Sequence, residues 1–144
     1  MSTSRPYISD TIRQQVAETA QYRCGYCLTS QRFTAKILHV EHIIPLVAGG
    51  DSTPENLWLA CDLCNIYKGV QTAGADPLTQ QTVALYNPRT QNWFDHFAWS
   101  MDGIHVIGLT PTGRVTVVAL RLNNAFLVEA RSWWVTAGWH PPKE

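Results

Sequence analysis

Neither sign of charge is in excess in this 144-residue chain, where eleven Lys plus Arg balance eleven Asp plus Glu. That balance removes the broad basic field with which tight, non-specific binders hold nucleic acid. Long apolar runs are missing too. No stretch approaches the roughly 18 apolar residues of a membrane span, and the opening MSTSRPYISD has no apolar core of signal-peptide length. The chain therefore reads as cytoplasmic with no membrane partner. Repeats, low-complexity tracts and linkers are absent, which predicts a single domain over residues 1–144, long enough to bury a core without a metal. Cysteine is scarce, and the four present form two Cys-x-x-Cys pairs with none to spare.

A hydrophobic content of 45% with 15% charged residues describes an ordinary globular protein, and six Trp add large contact surfaces. Ile12, Val16 and Ala20 recur at spacings of four behind Ser9 and Asp10, which predicts a capped amphipathic helix over residues 9–22. KILHVEHII is short and β-branched, so it reads as a strand broken by Pro45 and GGDS. Thr53-Pro54 starts a short helical turn. Cys61, Cys64, Asn65 and Lys68 fall at i, i+3, i+4 and i+7, one face of a helix that Gly69 ends.

TAGADP reads as a loop, TVALYNP as a strand, and HFAWSMDGIHVIGL as a hairpin turning at Asp102-Gly103. Thr110-Pro111 opens a helix, and Asn123 caps a last one through Trp134. The pattern predicts an α+β fold with an N-terminal helix and, over residues 78–142, a strand-plus-helix extension packed on the core.

Chemistry concentrates between His39 and Lys68. In a reducing compartment, Cys24, Cys27, Cys61 and Cys64 argue for a closed four-thiolate Zn2+ site rather than disulfides. The 33 residues between the pairs exceed a zinc-ribbon loop, so something is built inside. A closed site has no position for a substrate, so catalysis needs another metal.

CGYC, EHIIP, GG, ENL and CDLCNIYK stand in the order of the HNH endonucleases, the zinc-knuckle branch of the ββα-metal superfamily, and residues 24–69 resemble that family's core. The extension resembles stand-alone bacterial HNH proteins. The resemblance implies a metal-dependent nuclease hydrolysing phosphodiester bonds, with nucleic acid, DNA first, as partner. It makes His42 the general base, Asn56 the residue that fixes the metal-site loop, and Glu41 and Asn65 the ligands of a catalytic ion. Asn65 stands where His is usual, as in the His-Asn-Asn variant, and its amide oxygen favours Mg2+ or Mn2+. Adjacent strand residues point to opposite faces, so convergence of Glu41 and His42 calls for a bulge or bend before Pro45.

Plainer readings stand beside these. Glu41 and His42 also fit a strand-end acid beside a half-buried His, Asn56 a first-turn residue, and Asn65 a solvent-facing one. Lys68 is a substrate-phosphate contact or a solvated helix residue; His39 is a substrate contact, a third ligand or a surface His. His96, His105 and His140 read as structural, and Trp93, Phe94, Phe97 and Trp99 as core rather than a base-stacking platform. Trp133, Trp134 and Trp139 fit either a packed C-terminal helix or a homo-oligomer contact. The whole chain also fits a zinc-stabilised nucleic-acid-binding or protein-interaction module without turnover.

Overall fold

Helix α1 (Asp10–Thr19) begins because the Ser9 side chain accepts from the Ile12 N–H at 3.2 Å, satisfying one donor that the first turn leaves unpaired. Val16 and Ala20 face inward, and the chain leaves the helix through Gln21 and Tyr22, both left-handed at φ 56°. The computed structural model describes residues 7–143. The CGYC turn follows, closed by Cys24 N–H donating to the Thr29 carbonyl at 3.0 Å, and a single helical turn α2 (Gln31–Thr34) capped by Ser30.

Strands β1 (His39–His42) and β2 (Leu57–Ala60) form an antiparallel hairpin in which Glu41 lies opposite Trp58 and His42 opposite Leu57. The strand expected over KILHVEHII is shorter than its β-branched run, because β2 offers only four residues to pair with. Two 3-10 turns, Leu46–Ala48 and Pro54–Asn56, fill the connection. Helix α3 (Asp62–Lys68) packs on β1 and ends at Gly69, φ 52°. This β-β-α unit lies beneath α1, which crosses the hairpin.

The segment TAGADP is not wholly loop. Ala73–Ala75 form β3, antiparallel to β4 (Thr82–Ala84). Ala and Gly are weak strand formers, so the pairing comes from tertiary context: Gly74 lets Val115 come close enough that a Cβ would lie 2.8 Å from its Cγ2. Asp76 begins the turn, accepting from Leu78 N–H and Thr79 Oγ1 and receiving both arms of the Arg114 guanidinium at 2.9 Å.

A short helix α4 (Trp93–His96) leads into the hairpin β5 (Phe97–Trp99) and β6 (Val106–Gly108), which turns at Gly103, φ 79°. Helix α5 (Pro111–Ala119) is capped by Thr110, and α6 (Ala125–Thr136) by Asn124 rather than Asn123. Asn123 instead brackets Val106, accepting its N–H at 2.7 Å and donating to its carbonyl at 2.9 Å.

Several contacts seat the second half against the first. Trp93 Nε1 donates to the Tyr26 carbonyl at 2.9 Å, and Arg89 donates to the Leu57 carbonyl while lying 5.0 Å over the Trp58 ring. Phe33 lies against Trp134 and Trp139. Trp93, Phe97 and Trp99 pack ring against ring inside, whereas Trp133 stays 66% exposed. Among the described residues, no helix is long and apolar enough to cross a membrane.

Candidate functional site

The two knuckles meet because α1 delivers Cys24 and Cys27 on one turn while β2 delivers Cys61 and Cys64 at the start of α3. All four sulfurs lie within 4.8 Å of one another, and Cys27 Sγ is 3.6 Å from Cys61 Sγ. A tetrahedral zinc with bonds of about 2.3 Å places its sulfurs about 3.8 Å apart, so the cluster fits a structural metal such as zinc. Cys24, Cys27 and Cys64 are fully buried, and Cys61 is 9% exposed. Burial pushes the Cys24 thiol up, while hydrogen bonds from Cys24 and Cys61 hold Cys27 down. Such a crowded set cannot ionise together without a cation.

Gly25 has a different reason from the one its turn suggests. The positive φ belongs to Leu28, at 60°; a Cβ on Gly25 would instead meet Trp58 Cδ1 at 2.4 Å and Pro88 Cβ at 2.7 Å. The bare backbone lets the knuckle press on β2, where Gly25 N–H donates to the Leu59 carbonyl at 2.9 Å.

Beside this cluster, Glu41 turns inward under α3. Its carboxylate is 9% exposed, and Lys68 Nζ, only 2% exposed, lies 3.1 Å from Oε1. The same ammonium reaches the His42 carbonyl at 3.4 Å. Burial pushes the Glu41 carboxyl above its ordinary range, opposed by the Lys68 charge. Oε2 is buried and accepts no hydrogen bond. Lys68 is thus not the solvated helix residue that one sequence reading had; its long stem carries the charge inward to the acid.

His42 is the last residue of β1, half-buried, and its Nε2 shares a hydrogen bond with Ser52 Oγ at 2.9 Å. No bulge separates Glu41 from His42, since the pairing register runs straight through both. The bend expected before Pro45 is present at Ile43 and Ile44, while the Glu41 carboxylate meets Lys68 and the His42 ring meets Ser52.

Asn56 holds the loop that follows. Its Oδ1 accepts from Ile44 N–H at 2.9 Å, and its Nδ2 donates to the Ile44 and Asp51 carbonyls at 2.9 and 2.8 Å. Gly50 is required where this loop closes, because a Cβ there would lie 1.8 Å from the Ile44 oxygen. Asn65 sits one turn before Lys68 on the same face of α3, half-buried. His39 turns to Asp62, which also pairs with Lys36, and is half exposed.

Lys68 therefore joins the Glu41 carboxylate to the His42 backbone carbonyl, Asn56 anchors the loop after His42, and Asn65 shares the α3 face that carries Lys68. His39 belongs to a separate surface cluster. Sequence reasoning did not single out Ser52; its signal was the GGDS turn, which folds the chain back on His42. Arg89, which grips β2 opposite His42, carried no local signal.

Residues 24–71, about a third of the chain, match the family model described as HNH endonuclease. No curated protein and no solved structure matches the chain. The chain carries an HNH domain over that span, in an α+β fold with the four-cysteine cluster at its base, and a nuclease type of function is what that family generally implies.

Proposed function

Proceeding from an HNH domain at residues 24–71, we propose that this protein is a metal-dependent endonuclease that hydrolyses phosphodiester bonds in DNA, leaving 5′-phosphate and 3′-hydroxyl ends. The observation that carries the proposal is the buried Glu41 carboxylate, whose Oε2 accepts no hydrogen bond, next to a strand-end His42. A buried acid with an unclaimed oxygen is the kind of group a hard cation satisfies.

In this reading Glu41 and the Asn65 amide oxygen hold Mg2+ or Mn2+. The bound ion would supply positive charge to the phosphate as negative charge develops on the leaving 3′ oxygen. His42 takes the proton from the attacking water, the water oxygen bonds to phosphorus, the P–O3′ bond breaks, and the departing 3′ oxygen takes a proton from solvent. Ser52 holds the imidazole ring through Nε2, Asn56 fixes the loop, and Lys68 orients Glu41 rather than touching phosphate. The four cysteines hold a structural Zn2+ that fixes the start of α3, and with it Asn65.

Supercoiled plasmid incubated with purified protein and Mg2+ or Mn2+, beside His42→Ala, tests this. The wild type should nick the plasmid and the variant should not; equal nicking by both removes His42 as the base.

One observation favours a second reading. The Lys68–Glu41 pair already neutralises the acid internally, as a zinc-stabilised binding module without turnover would allow. Plasmid binding without cleavage supports that reading, whereas cleavage lost in Glu41→Ala or Asn65→Ala eliminates it.

A further inference from the structure

Arg131 is fully buried on α6, in the segment that lies outside the matched domain. Its Nη1 donates to the Ile104 carbonyl at 3.1 Å and to Asn123 Oδ1 at 3.3 Å, and its Nη2 to the Leu122 carbonyl at 2.7 Å. The guanidinium lies 5.3 Å over the Trp99 ring, and Nε is buried without an acceptor. All of these partners are neutral. Among the described residues the ion pairs are those of Lys36 and His39 with Asp62, Lys68 with Glu41, and Arg114 with Asp76; none includes Arg131.

A guanidinium does not shed its proton inside a protein, so a buried one without a carboxylate needs another source of negative charge. Helix α6 borders the cysteine cluster through residues that neighbour Arg131. Leu127, Ala130 and Trp134 line a cavity of about 260 Å³ together with Cys61, and Arg131 follows Ala130 one full turn after Leu127. Burial holds the Arg131 guanidinium below its ordinary value, and the charge of Cys27, Cys64, Cys61 and Cys24 opposes that loss. A zinc ion held by four thiolates carries a net charge of about −2, enough to need a nearby cation in a dry core.

We propose that Arg131 is the internal counter-ion of the four-cysteine metal centre, a positioning residue through which the C-terminal helix stabilises the zinc-bound state. This rests on the reading that the four cysteines hold zinc. The coupling is reciprocal: zinc strengthens the seating of α6, and Arg131 strengthens the retention of zinc.

The test compares full-length wild type, Arg131→Met, Arg131→Lys and Leu127→Ala. Leu127→Ala loosens the same helix without removing charge. Metal content is measured by mass spectrometry, and zinc transfer to a chromogenic chelator is followed at a temperature where far-UV circular dichroism shows every variant folded. The wild type should hold one zinc per chain, and Arg131→Met should release it at least tenfold faster. Arg131→Lys should fall between them, and Leu127→Ala should release zinc more slowly than Arg131→Met. In Co2+-substituted protein, the thiolate-to-metal band of Arg131→Met should move to longer wavelength, because removing the cation raises the energy of the sulfur electrons.

Zinc release from Arg131→Met at the wild-type rate overturns the proposal, as does equally fast release from Leu127→Ala. If Arg131→Met does not fold, the comparison of Arg131→Lys with Leu127→Ala decides: better zinc retention by the lysine variant supports the proposal, and equal retention overturns it. A wild type that holds no zinc overturns the metal reading itself, an outcome distinct from a failure at Arg131.

Discussion

Lys68 Nζ lies 3.1 Å from Glu41 Oε1, both side chains buried, and the two come from different elements 27 positions apart. Removing one partner strands the other charge in the core. Lys68→Met should therefore lose about 3–5 kcal/mol in urea denaturation, and pairing it with Glu41→Gln should recover much of that loss. Equal stability of the single and double variants would show that the two side chains do not interact.

Asn56 makes three hydrogen bonds to the loop that starts at Ile44. Asn56→Ala should cost about 1–3 kcal/mol and slow plasmid cleavage by about 100-fold, since small displacements of a catalytic group are that expensive. The Ile44 amide, which donates to Asn56 Oδ1, should exchange with deuterium faster. Gly50→Ala should mimic both effects through its clash with the Ile44 carbonyl.

Ser52 shares a hydrogen bond with the His42 ring. Ser52→Ala should lower kcat by about tenfold with Mg2+ dependence unchanged. A shift in the Mg2+ concentration needed for half-maximal rate would place Ser52 in the metal site instead.

His140 gives the acid limb of stability. Burial, and then the Arg131 charge, bring its pKa down from 6.5 to about 4, so the folded state resists a proton that the unfolded chain accepts. This stability is present above pH 6.5 and drains away as pH falls toward 4, at up to about 1.4 kcal/mol per pH unit. Melting temperatures across that range should fall, and His140→Phe should flatten the slope. An unchanged slope would assign the acid loss elsewhere.

What the sequence disclosed depended on how local the controlling interaction was. Ser9 and Thr110 cap helices within three residues, and Asp102-Gly103 turns a hairpin within itself, so these were legible. The cysteine pairs were legible because metal chemistry dictates their spacing. β3 was not, because Ala73, Gly74 and Ala75 form a strand only once β4 and Val115 are beside them. Neighbouring Asn123 and Asn124 look alike in sequence, and only the position of Val106 decides which one caps α6. At the site, the helical face of Asn65 and Lys68 was legible from periodicity. That Lys68 turns inward was not, because its partner lies on another element.

Helix α3 has only seven residues, and Cys61, Cys64, Asn65 and Lys68 all depend on its rotational phase. Each residue added to a helix turns everything beyond it by about 100°. A single insertion between Cys64 and Asn65 would keep every side chain in the sequence, yet would swing Lys68 away from Glu41 and turn Asn65 with it. The number of residues in α3 is therefore as constrained as the side chains it carries.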